Sequence, residues 1–147
     1  MNLEKALAIA TDAHRAQTDR YGAPYMLHVM RVMLRGKNEH ERIAGLLHDV
    51  VEDTPITLDD LRRAGFAEPI LAAVNCLTRP ETEPYGEFIE RIKTNGLAIR
   101  VKINDLEDNL DMRRLPGVTE KDLPRLNKYL KAYHELVNLI DGNGQDT

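Results

Sequence analysis

Apolar residues recur at three- and four-residue spacing along nearly the whole chain, the period of helices that each bury one face. Leu3, Ala6, Leu7, Ala10 and Ala13, with His14, outline a first helix that ends before the loop Asp19-Arg20-Tyr21-Gly22-Ala23-Pro24. Pro24 suits the first turn of a second helix carrying Tyr25, His28, Val29, Val32 and Met33 and stopping near Gly36. Asn38 with Glu41 has the form of a capping box, and one helix is expected from there through Ile43, Ala44, Leu46, Leu47, Val50 and Val51. Thr57 with Asp60 caps a short fourth helix closed near Gly65; Pro69 and Pro84 open the fifth and sixth. Leu97 to about Leu110 reads as a buried seventh helix, although Ile99, Val101 and Ile103 alternate as a strand would. Thr119 with Asp122 starts a long last helix that tolerates Pro124 in its opening turns. The expectation is an all-α fold of about eight helices in one domain, 1–140, followed by a flexible tail, 141–147.

Composition changes this picture little. At 147 residues, 42% of them hydrophobic and 30% charged, the chain can build one real core. The start lacks the basic-then-apolar order of a secretion signal, and no apolar run approaches the roughly 20 residues of a membrane span. A single cysteine, Cys76, excludes an internal disulfide and fits a cytoplasmic protein. Among Val74 and Leu77 it reads as a structural thiol. The net charge of −4 argues against a duplex nucleic-acid partner. A basic segment from Arg113 and Arg114 through Lys121, Arg125, Lys128 and Lys131 is either a solvated helix face or a receiver for a phosphorylated small molecule.

The chemistry concentrates in Leu46-Leu47-His48-Asp49-Val50-Val51-Glu52-Asp53-Thr54, where ionisable residues interrupt an apolar stretch. With His28 before it and Asp105 after it, the pair His48-Asp49 offers two imidazoles and two carboxylates, a set that holds one divalent ion and leaves positions for water. Such an ion lowers the pKa of its water, and a carboxylate one turn on orients or deprotonates it. Residues four apart on a helix share a face, so His48 stacks over Glu52 and Asp49 over Asp53 in one polar patch; Asp105, Asp108 and Asn109 form a second. Asn109 can hold a phosphate or hydroxyl without adding charge. The mixed ligand set points to Mn²⁺ or Fe²⁺ before Zn²⁺. His14 reads as a core residue or a neighbour of the ligands, His40 and His134 as surface or packing residues, and Met26, Met30 and Met33 as core filler.

On these residues the chain resembles the HD superfamily of metal-dependent phosphohydrolases, and within it the hydrolase domain of the RelA/SpoT family. The likeness is carried by Ala13-His14-Arg15-Ala16-Gln17, by Gly22-Ala23-Pro24-Tyr25-Met26-Leu27-His28, by Leu46 to Thr54, and by Val101-Lys102-Ile103-Asn104-Asp105 with Asn109. Leu77-Thr78-Arg79 and Tyr85 are weaker echoes. The resemblance implies a small stand-alone hydrolase that removes pyrophosphate from the 3′ position of (p)ppGpp with Mn²⁺. It further implies His28, His48, Asp49 and Asp105 as metal ligands and Glu52 and Asp53 as catalytic acids, Glu52 positioning the attacking water. Arg20, Tyr25 and Asn109 would contact the nucleotide, with Lys102 a phosphate partner. Two departures stand out. Asp19 replaces a basic residue that would stack on guanine, and Leu106-Glu107-Asp108 replaces a run usually containing a basic residue and a His or Tyr. They keep two alternatives open: a general nucleotide phosphohydrolase acting, for example, on a monophosphate, and a nucleotide-binding module without catalysis, against which intact Glu52 and Asp53 count. The sequence carries no signal for oligomeric state.

Overall fold

The computed structural model describes residues 2–145, with side chains to 141, and among them every regular element is helical. In chain order these are α1 (Asn2–Ala13), α2 (Tyr25–Arg35), α3 (Glu39–Leu47), α4 (Val50–Asp53), α5 (Leu58–Arg63), α6 (Glu68–Leu77), α7 (Tyr85–Ile92), α8 (Gly96–Asn109) and α9 (Leu123–Gln145), with a 3₁₀ turn at Met112–Arg114. The all-α expectation holds, and the strand alternative at Ile99–Ile103 gives way to α8, whose buried residues Ala98, Val101, Asp105 and Leu106 follow helical spacing while Arg100 and Glu107 stay exposed on the outer side. The tail read at 141–147 falls partly on the end of α9 and partly outside the described residues.

Two boundaries differ from the expectation. The helix expected through Val51 is interrupted at His48 and Asp49, giving α3 and the single turn α4. At the joint the His48 ring Nδ1 donates to the Gly45 carbonyl at 2.6 Å, so the side chain takes an acceptor at the helix end and is fixed in direction. The Thr119–Asp122 pair does bond, Thr119 N–H donating to Asp122 Oδ2 at 2.9 Å, but it forms a turn ahead of α9, which starts at Leu123 with Pro124 in its first turn. The other caps follow the sequence closely. Thr57 and Asp60 form the reciprocal box of α5. Asn38 Oδ1 accepts from Glu41 N–H at 2.9 Å, while the buried Glu41 carboxylate reaches one residue further back, to Lys37 N–H at 2.6 Å.

Two apolar clusters make the core. One gathers Ala6, Ala10, Val29, Ile43, Leu46, Leu47, Leu61 and Ile70 from α1, α2, α3, α5 and α6. The other gathers Leu77, Phe88, Ile92, Val101, Leu106 and Leu136 from α6, α7, α8 and α9. Full burial of each Leu, Ile or Phe contributes roughly 1.5–3 kcal/mol, ample to fix where the helices cross. The helices α2, α3 and α8 pack against one another where the clusters meet, and the site lies there. Cys76 is partly buried against the second cluster, and Met26 and Met33 against the first; Met30, expected inside, is 38% exposed because it lies on the outer side of α2.

Candidate active site

His28 projects from α2, His48 and Asp49 stand at the α3–α4 joint, and Asp105 faces them from α8. One ligand-type atom from each of His28, His48 and Asp49 lies within 4.8 Å of the other two. Asp105 Oδ1 lies 2.9 Å from His28 Nε2 and 3.5 Å from His48 Nε2. His28, His48 and Asp105 are at most 5% exposed. His48 Nε2 is 2.9 Å from Asp49 Oδ2, yet it is buried without a properly directed hydrogen bond. An imidazole whose Nδ1 is already spent on Gly45 and whose Nε2 abuts carboxylates without bonding to them is arranged as a cation ligand. The four candidate ligands therefore fit a divalent ion by the chemistry of their donors.

Electrostatics agrees with that fit. Burial works to lower His28 and His48, but Asp105 and Asp108 around the first, and Asp49 and Asp105 around the second, outweigh it and hold both above the ordinary histidine value. Burial works to raise Asp49 and Asp105 as well. The His48 ring brings Asp49 down to about 2, and Lys102 together with the two rings holds Asp105 well below the usual carboxylate range. Tyr25 donates its hydroxyl to Asp49, and burial followed by that neighbouring charge pushes the phenol far above its ordinary value.

The acids of α4 are set apart from this buried set. Asp49, Glu52 and Asp53 bring carboxylate oxygens within 4.8 Å of one another at the surface side of the joint. Glu52 Oε1 accepts from the Arg79 backbone N–H at 2.6 Å. Burial, Asp49 and Asp53 raise Glu52 although that bond opposes them; burial and Asp49 raise Asp53. The backbone of Asp53 is tied to the loop after α1: Gln17 Nε2 donates to its carbonyl at 3.3 Å, and Gln17 Oε1 accepts from the ring Nδ1 of buried His14 at 2.9 Å.

Two cavities open beside the cluster and meet at Asn109 and Tyr129. One, about 320 Å³, is bordered by Arg20, Tyr25, His28, Arg114 and Arg125. The other, about 160 Å³, is bordered by His48, Glu52, Arg79, Lys102 and Lys128. The proposed substrate residues are thus divided, Arg20 and Tyr25 on one side and Lys102 on the other, with Asn109 common to both; Asn109 Nδ2 donates to Asp105 Oδ1 at 3.1 Å. The basic segment divides as well, Arg114 and Arg125 facing one cavity and Lys128 the other. Arg113 turns away to Asp111, and Lys121 is exposed. Burial and the cations Arg79, Lys102 and Arg125 lower Lys128.

Two residues that look anomalous in the sequence have structural employment. Asp19 Oδ1 accepts from the N–H groups of Tyr21 and Ala23 at 2.8 and 3.0 Å, closing the loop that carries Arg20. Gly22 completes that loop at φ +85°, a conformation natural to glycine. Asp108, fully buried, does not join Asp105 and Asn109 as a patch facing the ligand. It points to α2 and meets His28, Arg31 and Arg35. The hub that Asp108 makes with Arg31, Arg35 and Arg114 was missed by the sequence reading, although an acid on the inner face of α8 and arginines four apart on α2 were its signal. Tyr129, placed between the cavities, carried none beyond helical spacing.

An all-helical domain with a buried His–carboxylate cluster between two cation-lined cavities is the class this geometry defines. No protein-family model matches the chain. Over 94% of its length it is 42% identical to the bifunctional (p)ppGpp synthase/hydrolase SpoT of Escherichia coli K12, and over 84% it is 40% identical to the guanosine-3′,5′-bis(diphosphate) 3′-pyrophosphohydrolase of Vibrio cholerae. A GTP pyrophosphokinase of Streptomyces coelicolor is 29% identical over 96% of it. The chain spans about a fifth of these relatives, covering 22%, 19% and 18% of their lengths. Among solved structures, a metazoan ortholog of SpoT that hydrolyzes ppGpp shares the fold with a TM-score of 0.75 at 24% identity, over 92% of this chain and 84% of that one. The chain is a homologue of the SpoT-type 3′-pyrophosphohydrolases over most of its length. None of the described helices is long and apolar enough to cross a membrane.

Proposed function

We propose that the chain is a metal-dependent pyrophosphohydrolase that removes pyrophosphate from the 3′ position of (p)ppGpp or a closely related nucleotide, working in the cytoplasm with Mn²⁺. The observation that carries this reading is the convergence of His28, His48, Asp49 and Asp105 beside two cation-lined cavities. A nucleotide phosphorylated at two separated positions offers two anions for such a pair of cavities, whereas a monophosphate would leave one cation group unmatched.

In this reading His28, His48, Asp49 and Asp105 hold the ion, Mn²⁺ before Fe²⁺ or Zn²⁺. A bound divalent ion supplies positive charge that polarises a phosphoryl oxygen and acidifies a water. Lys102, Arg79 and Lys128 receive the pyrophosphate to be released; Arg20, Arg114 and Arg125 receive the group that stays; Tyr25 and Asn109 border the nucleotide where the cavities meet. Glu52 orients the attacking water and takes its proton. Its raised pKa makes it a better base than an ordinary surface carboxylate, and the Arg79 N–H pins one oxygen so that the other can work. Asp53, beside it, keeps the negative field that favours this proton transfer.

The test is incubation with ppGpp and Mn²⁺, with products separated by anion-exchange chromatography. GDP and pyrophosphate are expected. Orthophosphate release, or turnover of a plain monophosphate with ppGpp untouched, would reject this reading for a general phosphohydrolase, and binding without turnover would reject it for a non-catalytic module.

A further inference from the structure

We infer that Asp108 is a positioning residue for His28, fixing the imidazole so that Nε2 faces the ligand cluster. The inference rests on the reading of His28 as an ion ligand. His28 Nδ1 donates to Asp108 Oδ2 at 2.6 Å, while His28 Nε2 lies on the opposite side of the ring, 2.9 Å from Asp105 Oδ1. A neutral imidazole that donates from Nδ1 keeps its lone pair on Nε2, and a carboxylate in that outer place orients the ring and makes it a stronger ligand.

The arrangement around Asp108 is built for this. The carboxylate is fully buried, a place no charge occupies unless paired. Its other oxygen, Oδ1, accepts from Arg31 Nε at 2.7 Å, Arg35 Nη1 at 3.0 Å and Arg114 Nη1 at 3.0 Å. Arg114 Nη2 also donates to the Asp108 carbonyl at 2.9 Å. The three arginines crowd one oxygen and leave the other to His28 alone. A plain ion-pair tie between α2 and α8 would need Arg31 and Arg35 but would not need the histidine contact.

The experiment measures Mn²⁺ affinity by isothermal titration on the parent, on Asp108→Asn and on Thr57→Ala. The last is a control loosened at the distant α5 cap, and all three are compared at a temperature where circular dichroism shows them folded. Asp108→Asn is expected to bind Mn²⁺ on the order of 10- to 100-fold more weakly, and Thr57→Ala to stay within about threefold of the parent. Asp108→Asn within about threefold of the parent, or equal weakening in both variants, overturns the inference. Should Asp108→Asn fail to fold, the ¹⁵N spectrum of the parent loaded with diamagnetic Zn²⁺ decides. A proton on His28 Nδ1 supports the assignment and an unprotonated Nδ1 overturns it. A parent that binds no divalent ion removes the proposed function along with this inference, whereas a parent that binds while Asp108→Asn binds equally well removes the inference alone.

Discussion

At the scale of single residues, the proposed function assigns different work to Glu52 and to the histidines. Glu52→Gln keeps the shape of the side chain and lies outside the proposed ligand set, so it should bind Mn²⁺ like the parent while kcat falls by on the order of 10² to 10⁴. Titration of Mn²⁺ together with steady-state rates checks both halves, and an unchanged kcat at saturating Mn²⁺ removes Glu52 from its role. The histidines govern pH dependence. His28 and His48 have folded values above the ordinary 6.5, so their contribution to stability is complete below that value and is lost as pH rises through the raised one. Asp49 and Asp105 are depressed below 3.8, so their contribution is present above that value and is lost as pH falls. Protein stripped by a chelator should therefore melt at progressively lower temperature as pH rises above about 6.5. Mn²⁺ competes with the histidine protons and should abolish that decline. Thermal melts with EDTA and with Mn²⁺ across this range are the measurement; a rise with pH in EDTA would contradict the assignment.

At the scale of elements, the caps and the apolar stripes were legible because their signals are local. The Thr57–Asp60 box, Pro69 and Pro84 at helix starts, and the buried faces of α1, α2 and α6 all follow from residues within a turn or two of each other. The ligand candidates were legible as residue types in an apolar run. What was hidden depends on partners far along the chain. The break at His48 and Asp49 arises where an imidazole must turn inward to residues 28 and 105, and no periodicity within the run records that demand. Asp108 looked like a departure for the same reason, since its partners lie on α2 and in the 3₁₀ turn. Asp19 gave the opposite lesson: a position that suggested a lost stacking cation is a loop closure, so Asp19→Arg would dismantle the Arg20 loop before it could alter base preference. The cap of α3 gives an element-level prediction. Asn38→Ala should cost about 1 kcal/mol, lowering Tm by roughly 2–4 °C, with kcat at saturating Mn²⁺ nearly unchanged. A calorimetric melt and an activity assay on the same sample check it.

At the scale of the whole molecule, the ligand candidates come from both sides of the contact between the two apolar clusters, His48 and Asp49 from the α3 side and Asp105 from α8. The lone cysteine rules out an internal disulfide, so no disulfide reinforces this contact. Coordination from residues 28 and 48 to residue 105 would serve as a cross-link, closing a long loop in the manner of a bridge whose value grows slowly with the chain it encloses. Saturating Mn²⁺ at 100 times its Kd should stabilise the fold by about 2.7 kcal/mol. Amide exchange in α8 should slow more than in α5, which lies away from the contact; equal slowing in both would argue against a tie at this place. In mechanical terms the catalytic centre would then be the fastener of the molecule, and a cell poor in the metal would hold a chain that is both idle and easier for proteases to open.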